Sequence, residues 1–234
     1  LVVTNAVDGQ AGSLRDVLAN ASSGDVIRFA PTLRHRTLML TEGELDVNES
    51  VRIEGTQQTL DAGGQSRIML LDQAGTSISL SGLHFRNGAA PGDPSKGTMG
   101  GAILAESVTL EISGSRFSGN SAAATQPGLP EDGFTQSGLG GAIAASNSSI
   151  SITGCDFIGN TASGADNTKD QQAGSGLGGA IFAANSPITM QHTRFRSNSA
   201  VGGSGARPIE QFATSDGGWG AGGAIFADRA SVAA

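Results

Sequence analysis

The sequence predicts an all-β fold in which short strands stack as the successive coils of a solenoid. The first observation is an internal repeat, because four segments begin with GGAI, at Gly100, Gly140, Gly178 and Gly222. The second is that apolar residues within each segment alternate with polar ones, which is the period of a half-buried strand. The third is that Gly, Ser and Asn, which favour turns, separate these runs. Repeats of this kind indicate one coil each, with three short strands in about 22 residues.

The repeat keeps a constant internal spacing, which we count as offsets from its first glycine. Ile stands at offset 3 and Ala at offset 5 in all four copies, and the three longer copies have Phe at offset 17 and Asn at offset 20. Stacked coils place like residues above like residues, so we expect an aromatic column in the core and an amide ladder at a turn. These residues are Phe117, Phe157 and Phe195, and Asn120, Asn160 and Asn198. The paired glycines would permit a tight turn with positive φ.

Two further coils are predicted before the first GGAI. Counting back seventeen residues from Phe85 gives Ile68 as offset 0 of a degenerate repeat that is one residue shorter before Asn87. Its offsets 3, 10, 12 and 14 are then Leu71, Ile78, Leu80 and Gly82. Residues 36–64 show a weaker form of the pattern. We therefore expect residues 31–234 to form about five coils and a truncated one, with protruding loops, in a fragment of a longer protein.

Residues 1–30 predict a strand, a helix and a strand that cap the N-terminal end of the solenoid, where the core and the strand edges would otherwise be exposed. Ser13 is the predicted N-cap, with Asp16 three residues later as in a capping box. Gly24 suits the C-terminal stop of the helix. The apolar stripe of the helix consists of Leu14, Val17, Leu18 and Ala21.

Composition and charge exclude several classes of function. Gly contributes 36 of 234 residues, against a usual share of about 7%, while Tyr is absent and Trp occurs once. The core must therefore be built mainly from aliphatic residues and Ala. The net charge is −7 without a cluster of Lys and Arg, which argues against a nucleic-acid partner. No apolar run approaches the roughly 20 residues of a membrane span, so no membrane insertion by this segment is predicted.

The combination of four GGAI motifs with FSGN, FIGN and FRSN resembles the polymorphic outer membrane protein repeat of bacterial surface autotransporter adhesins. The segment GSLRDVLANASSGDVIRF is similar to the one that opens many large bacterial surface β-helix proteins. The resemblance covers almost all of the chain. It implies a right-handed, single-stranded parallel β-helix (a pectin-lyase-like solenoid), secretion or an outer-surface location, and adhesion to a protein or glycan of a host or neighbouring cell.

Solenoids of this kind also include polysaccharide lyases and glycoside hydrolases, so catalysis must be weighed. Offset 16 carries a column of charged residues on successive coils, namely His84, Arg116, Asp156 and Arg194. We interpret the column as an exposed charge ladder, worth about a few tenths of a kcal/mol per pair. The alternative, a catalytic groove, lacks the second carboxylate that glycoside hydrolysis requires. We predict no catalytic residues and no enzyme activity.

The remaining residues of reactive type indicate structural roles. Cys155 is the single cysteine, which excludes a disulfide within the chain and indicates a small core residue. His192 stands at offset 14, where the other repeats have Gly, and is predicted to be a tolerated turn substitution. His35 lies between two arginines and is predicted to be solvated.

Polar segments of unequal length follow Ala122, Ala162 and Ala200, and each returns to a glycine pair, so they should project from one side of the solenoid. Loops on a rigid scaffold often carry binding residues. Their aromatic residues are the predicted partner contacts, with packing against the solenoid wall as the alternative: Phe134, Phe212 and Trp219.

The loops also contain acidic residues, which suit calcium when several oxygens converge. Asp166 and Asp170 are the weak candidates; solvated carboxylates are the simpler interpretation, and no metal site or other cofactor is predicted. The leading function is therefore a secreted or surface adhesin fragment that presents binding loops. A polysaccharide-active enzyme and a passive structural spacer are the alternatives.

Overall fold

The structure, a computed structural model, describes residues 1–91, 98–124, 137–166, 173–205 and 217–233. Within these ranges the protein is mostly β-strand, with one α-helix and a short 3₁₀ turn at Pro31–Leu33. The strands form four sheets, and every strand pairing is parallel. The predicted all-β class is confirmed.

The strands are numbered in chain order and grouped by sheet. Sheet I contains β1 Val2–Val3, β2 Val26–Phe29, β3 Thr37–Met39, β5 Arg52–Asp61, β7 Ser77–Arg86, β10 Thr109–Ser113, β11 Arg116–Ser118, β15 Ser149–Thr153, β16 Asp156–Ile158, β20 Ile188–Gln191, β21 Arg194–Arg196 and β25 Val232–Ala233. Sheet II contains β4 Leu45–Asp46, β6 Met69–Leu71, β9 Ile103–Glu106, β14 Ile143–Ser146, β19 Ile181–Ala184 and β24 Ile225–Asp228. Sheet III contains β12 Ser121–Ala123, β17 Thr161–Ser163 and β22 Ser199–Val201. Sheet IV contains β8 Thr98–Met99, β13 Gly138–Leu139, β18 Gly176–Leu177 and β23 Gly220–Ala221.

The first three GGAI repeats follow the same path through the sheets. From β9 in sheet II the chain passes through β10 and β11 in sheet I and β12 in sheet III, and it then returns through β13 in sheet IV to the next repeat. The sequence predicted three strands per coil, and this number is wrong. The structure has five, because a bend divides the sheet I segment and a two-residue strand precedes each glycine pair.

The predicted aromatic column is confirmed and is longer than expected. The ring centroids of Phe117 and Phe157 are 4.7 Å apart, and those of Phe157 and Phe195 are 5.0 Å apart. Phe85 extends the column at 4.6 Å from Phe117, and all planes lie within 11° of their neighbours. The first three rings are fully buried, so the column forms part of the core between sheets I and II.

The predicted amide ladder is also confirmed. The side-chain amide of Asn120 donates to Oδ1 of Asn160 at 2.9 Å, and that of Asn160 donates to Oδ1 of Asn198 at 2.9 Å. Each amide makes a second bond to the preceding coil, from Asn120 to the carbonyl of Phe85 and from Asn160 to that of Phe117, both at 3.1 Å. Buried polar groups are thereby satisfied between coils.

The degenerate repeat differs from its predicted register at two places. Gly88, and not Asn87, occupies the ladder position, because its backbone N–H donates to Oδ1 of Asn120 at 2.9 Å. Asn87 lies one residue earlier, at a corner with φ of 53°. The segment between Phe85 and the ladder position is therefore not shortened.

The start of the same repeat is shifted by two residues. Met69 pairs with Ile103 at offset 3, so Leu71 lies opposite Ala105 at offset 5. The cause is a longer turn, since six positions separate Leu71 from the next strand at Ser77, against four in the following repeat. Beyond this turn the predicted register holds, because Ile78 and Leu80 pair with Leu110 and Ile112.

The corners of the coil fall at constant offsets and use the left-handed backbone conformation. In the third coil, φ is positive at offsets 0, 7, 14 and 19, which are Gly100, Ser107, Gly114 and Gly119. His192 at offset 14 has φ of 52°, so its interpretation as a turn substitution is confirmed. Sequence analysis missed the corner at offset 7, where polar residues replace glycine: Ser107, Asn147, Asn185 and Arg229.

The second glycine of each pair has a different role, because its φ is not positive. A Cβ atom on Gly141 would lie 2.2 Å from the carbonyl oxygen of Gly179 and 2.5 Å from the backbone nitrogen of Thr161. Such distances are too short for any side chain. The turn therefore packs directly against the backbone of sheet III.

The helix, α1, spans Leu14–Ala19 between β1 and β2. Ser13 is its N-cap, and Oγ accepts a hydrogen bond from the backbone of Asp16 at 3.2 Å. The reciprocal bond of a capping box is absent, because the Asp16 carboxylate accepts from Gly12 at 2.8 Å. The prediction that Gly24 ends the helix is wrong, since Asn20 is the C-cap and its side chain bonds to the carbonyl of Asp16.

The helix packs on the first strands through apolar and ionic contacts. Leu14 is buried, and Val17, Leu18 and Ala21 pack against the main core. The carboxylate of Asp8, only 3% exposed, accepts bonds from Arg15 at 2.9 and 3.0 Å and from the backbone of Thr41 at 2.8 Å. Burial alone would raise the pKa of Asp8, but these bonds leave it below its ordinary value. The division into a cap and a solenoid stays a prediction.

The aromatic column generates a stability prediction. Phe157→Ala should lower the free energy of unfolding by about 3–5 kcal/mol, because it leaves a cavity between two stacked rings. Phe157→Leu keeps most of the apolar volume and should cost less. Chemical denaturation measures both values. An unchanged midpoint for Phe157→Ala would contradict the observed stacking.

The two kinds of glycine should respond differently to substitution. No atom lies within 4 Å of a Cβ on Gly114. Gly114→Ala should therefore lower the free energy of unfolding only by the cost of holding Ala in the left-handed conformation, about 1–2 kcal/mol. Gly141→Ala should cost more, because the backbone of two neighbouring strands must move. Denaturation midpoints of the two variants test this order, and equal losses would rule out close packing at Gly141.

Candidate functional site

The loops begin and end on one side of the stack. The chain leaves sheet III and re-enters at sheet IV around residues 125–136, 167–172 and 206–216, which lie outside the described ranges. Because β12, β17 and β22 are neighbours, as are β13, β18 and β23, the ends of these segments lie one above another.

A further segment outside the described ranges, residues 92–97, connects Pro91 to β8. Sequence analysis missed it because this repeat lacks an FxxN motif before it. A signal was present, since Thr98–Met99 precedes Gly100 in the same way that Gly138–Leu139 precedes Gly140. The described ends of four such segments therefore lie on the same side of the stack.

The bases of the loops are held by direct backbone packing. A Cβ atom on Gly138 would lie 2.1 Å from the carbonyl oxygen of Ala122. A Cβ atom on Gly176 would lie 2.3 Å from that of Val201. Sheets III and IV thus approach each other as closely as backbones allow. The strand ends at which each loop begins and ends are therefore fixed relative to one another.

Sheet IV also covers a second apolar cluster on the outer face of sheet II. Ile103 and Ala105 face the main core, so Leu104 between them faces the other way. The buried members of this cluster are Leu104, Leu139, Ala144, Leu177 and Phe182. Sequence analysis missed the cluster, although the apolar residues at offset 4 indicated a strand that is buried on both faces.

Of the three predicted contact residues, the structure describes Trp219 alone, because Phe134 and Phe212 lie outside the described ranges. Trp219 immediately precedes β23, and its side chain is 77% exposed. Its backbone N–H donates to Oγ of Ser175 at 3.3 Å. The indole therefore does not pack against the wall of the stack, as the alternative interpretation required.

The structure gives Asp166 a contact at the base of a loop. Its carboxylate accepts a hydrogen bond from the backbone of Ser204 in the next coil at 2.7 Å, while Asp170 lies outside the described ranges. Within the described ranges, no three His, Cys, Asp or Glu side chains form a group that could hold a metal ion. That the loops hold no metal site stays a prediction.

The charged column at offset 16 has the predicted register, since His84, Arg116, Asp156 and Arg194 lie on adjacent paired strands. Arg194 binds Asp156 through two bonds, from Nε at 2.7 Å and from Nη2 at 3.0 Å. The hydrogen bond from Arg194 is the main reason that the pKa of Asp156 lies below its ordinary value. This carboxylate is thus held ionised, which suits an ion pair and not a proton donor.

A second charged pair lies beside this column, at offset 18. Nε and Nη2 of Arg86 donate to one oxygen of Asp61, at 2.8 and 2.6 Å, and the other oxygen accepts from Gly63 and Asn87. The Asp61 side chain is 5% exposed. Burial by itself would raise the pKa of Asp61, yet these bonds leave it lowered.

His84 has the most perturbed environment of the column. Its Nε2 atom lies 2.7 Å from Oγ of Ser118. Burial, together with the positive charges of Arg116 and Arg86, lowers the pKa of His84 to about 4. The imidazole is therefore neutral near pH 7.

The other residues of reactive type take structural positions. Cys155 is buried, as predicted, with Sγ 3.5 Å from the carbonyl oxygen of Thr153. Burial raises the pKa of its thiol. His35 is exposed, as predicted.

No helix in the described ranges is both long and apolar enough to cross a membrane. Comparisons with known protein families, with characterised proteins and with solved structures found no match to this chain. The resemblance to the polymorphic outer membrane protein repeat stays a prediction, and function must be argued from the site itself.

The environment of His84 predicts a pH dependence of stability. Because its pKa is about 4 in the fold and 6.5 ordinarily, the unfolded chain takes up a proton first as the pH falls between these values. The free energy of unfolding should therefore decrease between pH 6.5 and 4. Below the ordinary carboxyl pKa of 3.8 it should decrease further, because Asp8, Asp61 and Asp156 have lowered pKa values.

Urea denaturation at several pH values measures this dependence. His84→Gln should flatten the decrease between pH 6.5 and 4, and His35→Gln, at an exposed position, is the matched control that should retain it. An unchanged slope in His84→Gln would show that His84 is not the responsible group.

Proposed function

We propose that the protein is a right-handed, single-stranded parallel β-helix, secreted or held at the outer cell surface, that acts in adhesion by presenting binding loops. The proposal is supported by the pairing of successive repeats in parallel and in constant register. Connections between parallel strands of one sheet are right-handed in nearly all proteins, which supports the handedness.

The observation that carries the adhesive role is the placement of the loops. Four segments outside the described ranges begin and end on one side of the stack, and glycine contacts fix the bases of those that follow Ala122, Ala162 and Ala200. The solenoid does not need long loops to close its coils, although it tolerates them, because doubling a loop costs only about 0.6 kcal/mol. Loops on a rigid scaffold are a common location for binding residues.

The chemistry of two side chains favours binding over catalysis. The indole of Trp219 is exposed at the end of a loop, and Trp is prominent among residues that dominate binding energy. Asp156 is the carboxylate of the charged column, and it is engaged by Arg194 instead of facing a second carboxylate as a glycosidase requires. The expected partner is a protein or glycan on a host or neighbouring cell.

The loops can be removed without touching the described strands. Replacing residues 125–136, 167–172 and 206–216 by short Gly/Asn turns should preserve the melting temperature and abolish attachment to cells or glycan-coated surfaces. Trp219→Ser should weaken attachment without a change in melting. Met39→Ser, at an exposed apolar position remote from the loops, is the control. Attachment at the parent level after loop replacement would contradict the proposal.

A further inference from the structure

Arginine residues are concentrated on the outer face of sheet I, on the part of each coil that follows the bend. The basic strip is defined as the outward-facing residues at offsets 16 and 18 of β7, β11, β16 and β21. Its members include Arg86, Arg116, Ser118, Asp156, Arg194 and Arg196. The strip holds four of the 14 Lys and Arg residues of a chain whose net charge is −7.

The two carboxylates at the strip are already occupied. Asp156 is bound by Arg194 through both oxygens, and Asp61 is bound by Arg86. Arg116 and Arg196 are exposed, and in the described ranges neither guanidinium group has a hydrogen bond or an ion pair with another residue. Two positive charges therefore remain uncompensated on this face.

The neighbouring histidine is affected by the same positive charges. His84 lies directly beside Arg116 in the column, and the charges of Arg116 and Arg86, in addition to burial, lower its pKa. An anion bound at the strip would raise the pKa of His84.

The spacing of the free guanidinium groups limits the kind of anion. Arg116 and Arg196 lie on strands β11 and β21, two strand spacings or about 10 Å apart along the stack. Duplex nucleic acid carries a charge about every 1.7 Å, so most of its phosphates would find no partner on this acidic protein. A polymer whose charges lie further apart and are separated by hydroxyl groups fits better. The rest of the strip on β11, β16 and β21 offers no further free positive charge, because it consists of Ser118, Ile158 and the Asp156–Arg194 ion pair.

We propose that the basic strip binds an acidic polysaccharide, with Arg116 and Arg196 each contacting a carboxylate or sulfate of the polymer. Guanidinium groups suit this role because they bind such groups through two parallel hydrogen bonds. The site goes beyond the proposed function, because it lies on the strand face and does not depend on the loops.

The test compares two double variants that remove the same charge. Arg116→Gln with Arg196→Gln should weaken binding of polygalacturonate by about tenfold or more, since two charge-assisted contacts are lost. Arg34→Gln with Arg36→Gln removes two exposed arginines outside the strip and should leave binding unchanged. Binding of the parent should weaken as salt is added, and neutral dextran should not bind.

A second measurement reports on the position of the polymer. The pKa of the His84 imidazole, followed by NMR, should rise when polygalacturonate binds, because a negative charge then lies near Arg116. It should not respond to polygalacturonate in the Arg116→Gln, Arg196→Gln variant. This readout separates contact at the strip from a general effect of charge.

Several outcomes would overturn the inference. The first is an equal loss of polygalacturonate binding in the two double variants. The second is neutral dextran that binds as tightly as polygalacturonate, and the third is a His84 pKa that polygalacturonate does not change. Polyglutamate that binds as tightly as polygalacturonate would point to an acidic peptide instead. The protein with replaced loops should still bind polygalacturonate; its failure to bind would place the site on the loops, whereas cell attachment tests the adhesive role separately.

Discussion

In the described strands of the repeats, each residue pairs with the residue at the same offset one coil away, and the rest of the structure depends on this parallel stacking of like residues. One coil has no core of its own. Its backbone bonds, its Phe ring and its Asn amide are all completed by the neighbouring coils. A side chain must therefore suit a copy of itself above and below. Stacked Phe rings and hydrogen-bonded Asn amides meet this condition, because both interact favourably with identical groups.

The same constraint assigns a separate role to each part of the coil. Corners must take the left-handed conformation at fixed offsets, and the second glycine of the first three pairs must have no side chain. The outward positions of sheet I face water and carry neither requirement. Charges can vary there from coil to coil, as in the sequence His84, Arg116, Asp156 and Arg194. Chemistry for binding is therefore available on this face and in the loops, where the fold places few demands.

Sequence analysis was most successful where a residue recurs at a constant offset. The column containing Phe157 and the ladder containing Asn160 were predicted because their spacing is invariant in three copies. The shift at Met69 was not predictable, because it follows from a longer turn without a distinctive residue. Two-residue strands such as Thr98–Met99 are too short for a period to be recognised. The helix end at Asn20 was missed because Gly24 offered a stronger but unused stop signal.

The candidate site was predictable only in part. Constant spacing placed the charged residues of offset 16 in one column, and it placed the ends of the loops on one side. It did not indicate that Arg194 binds Asp156 while Arg116 remains free, since this choice depends on side-chain geometry. The second charged pair, Asp61 and Arg86, was missed for a related reason. It joins a residue of the weak early coil to one of the degenerate repeat, where offsets could not be assigned with the same accuracy.

The amide ladder has a consequence for how such a protein can change during evolution. Asn120 and Asn160 each donate one bond to the Asn of the next coil and one to a carbonyl of the preceding coil, so these rungs of the ladder are interchangeable. A duplication or deletion of one whole coil joins two equivalent rungs and leaves no amide unsatisfied. A gain or loss of a single residue within a strand would move the following side chains of that strand to its opposite face, whereas a turn absorbs a change in length, as between Leu71 and Ser77. The repeat thus favours recombination in units of a coil, and each unit gained or lost brings its own loop with it.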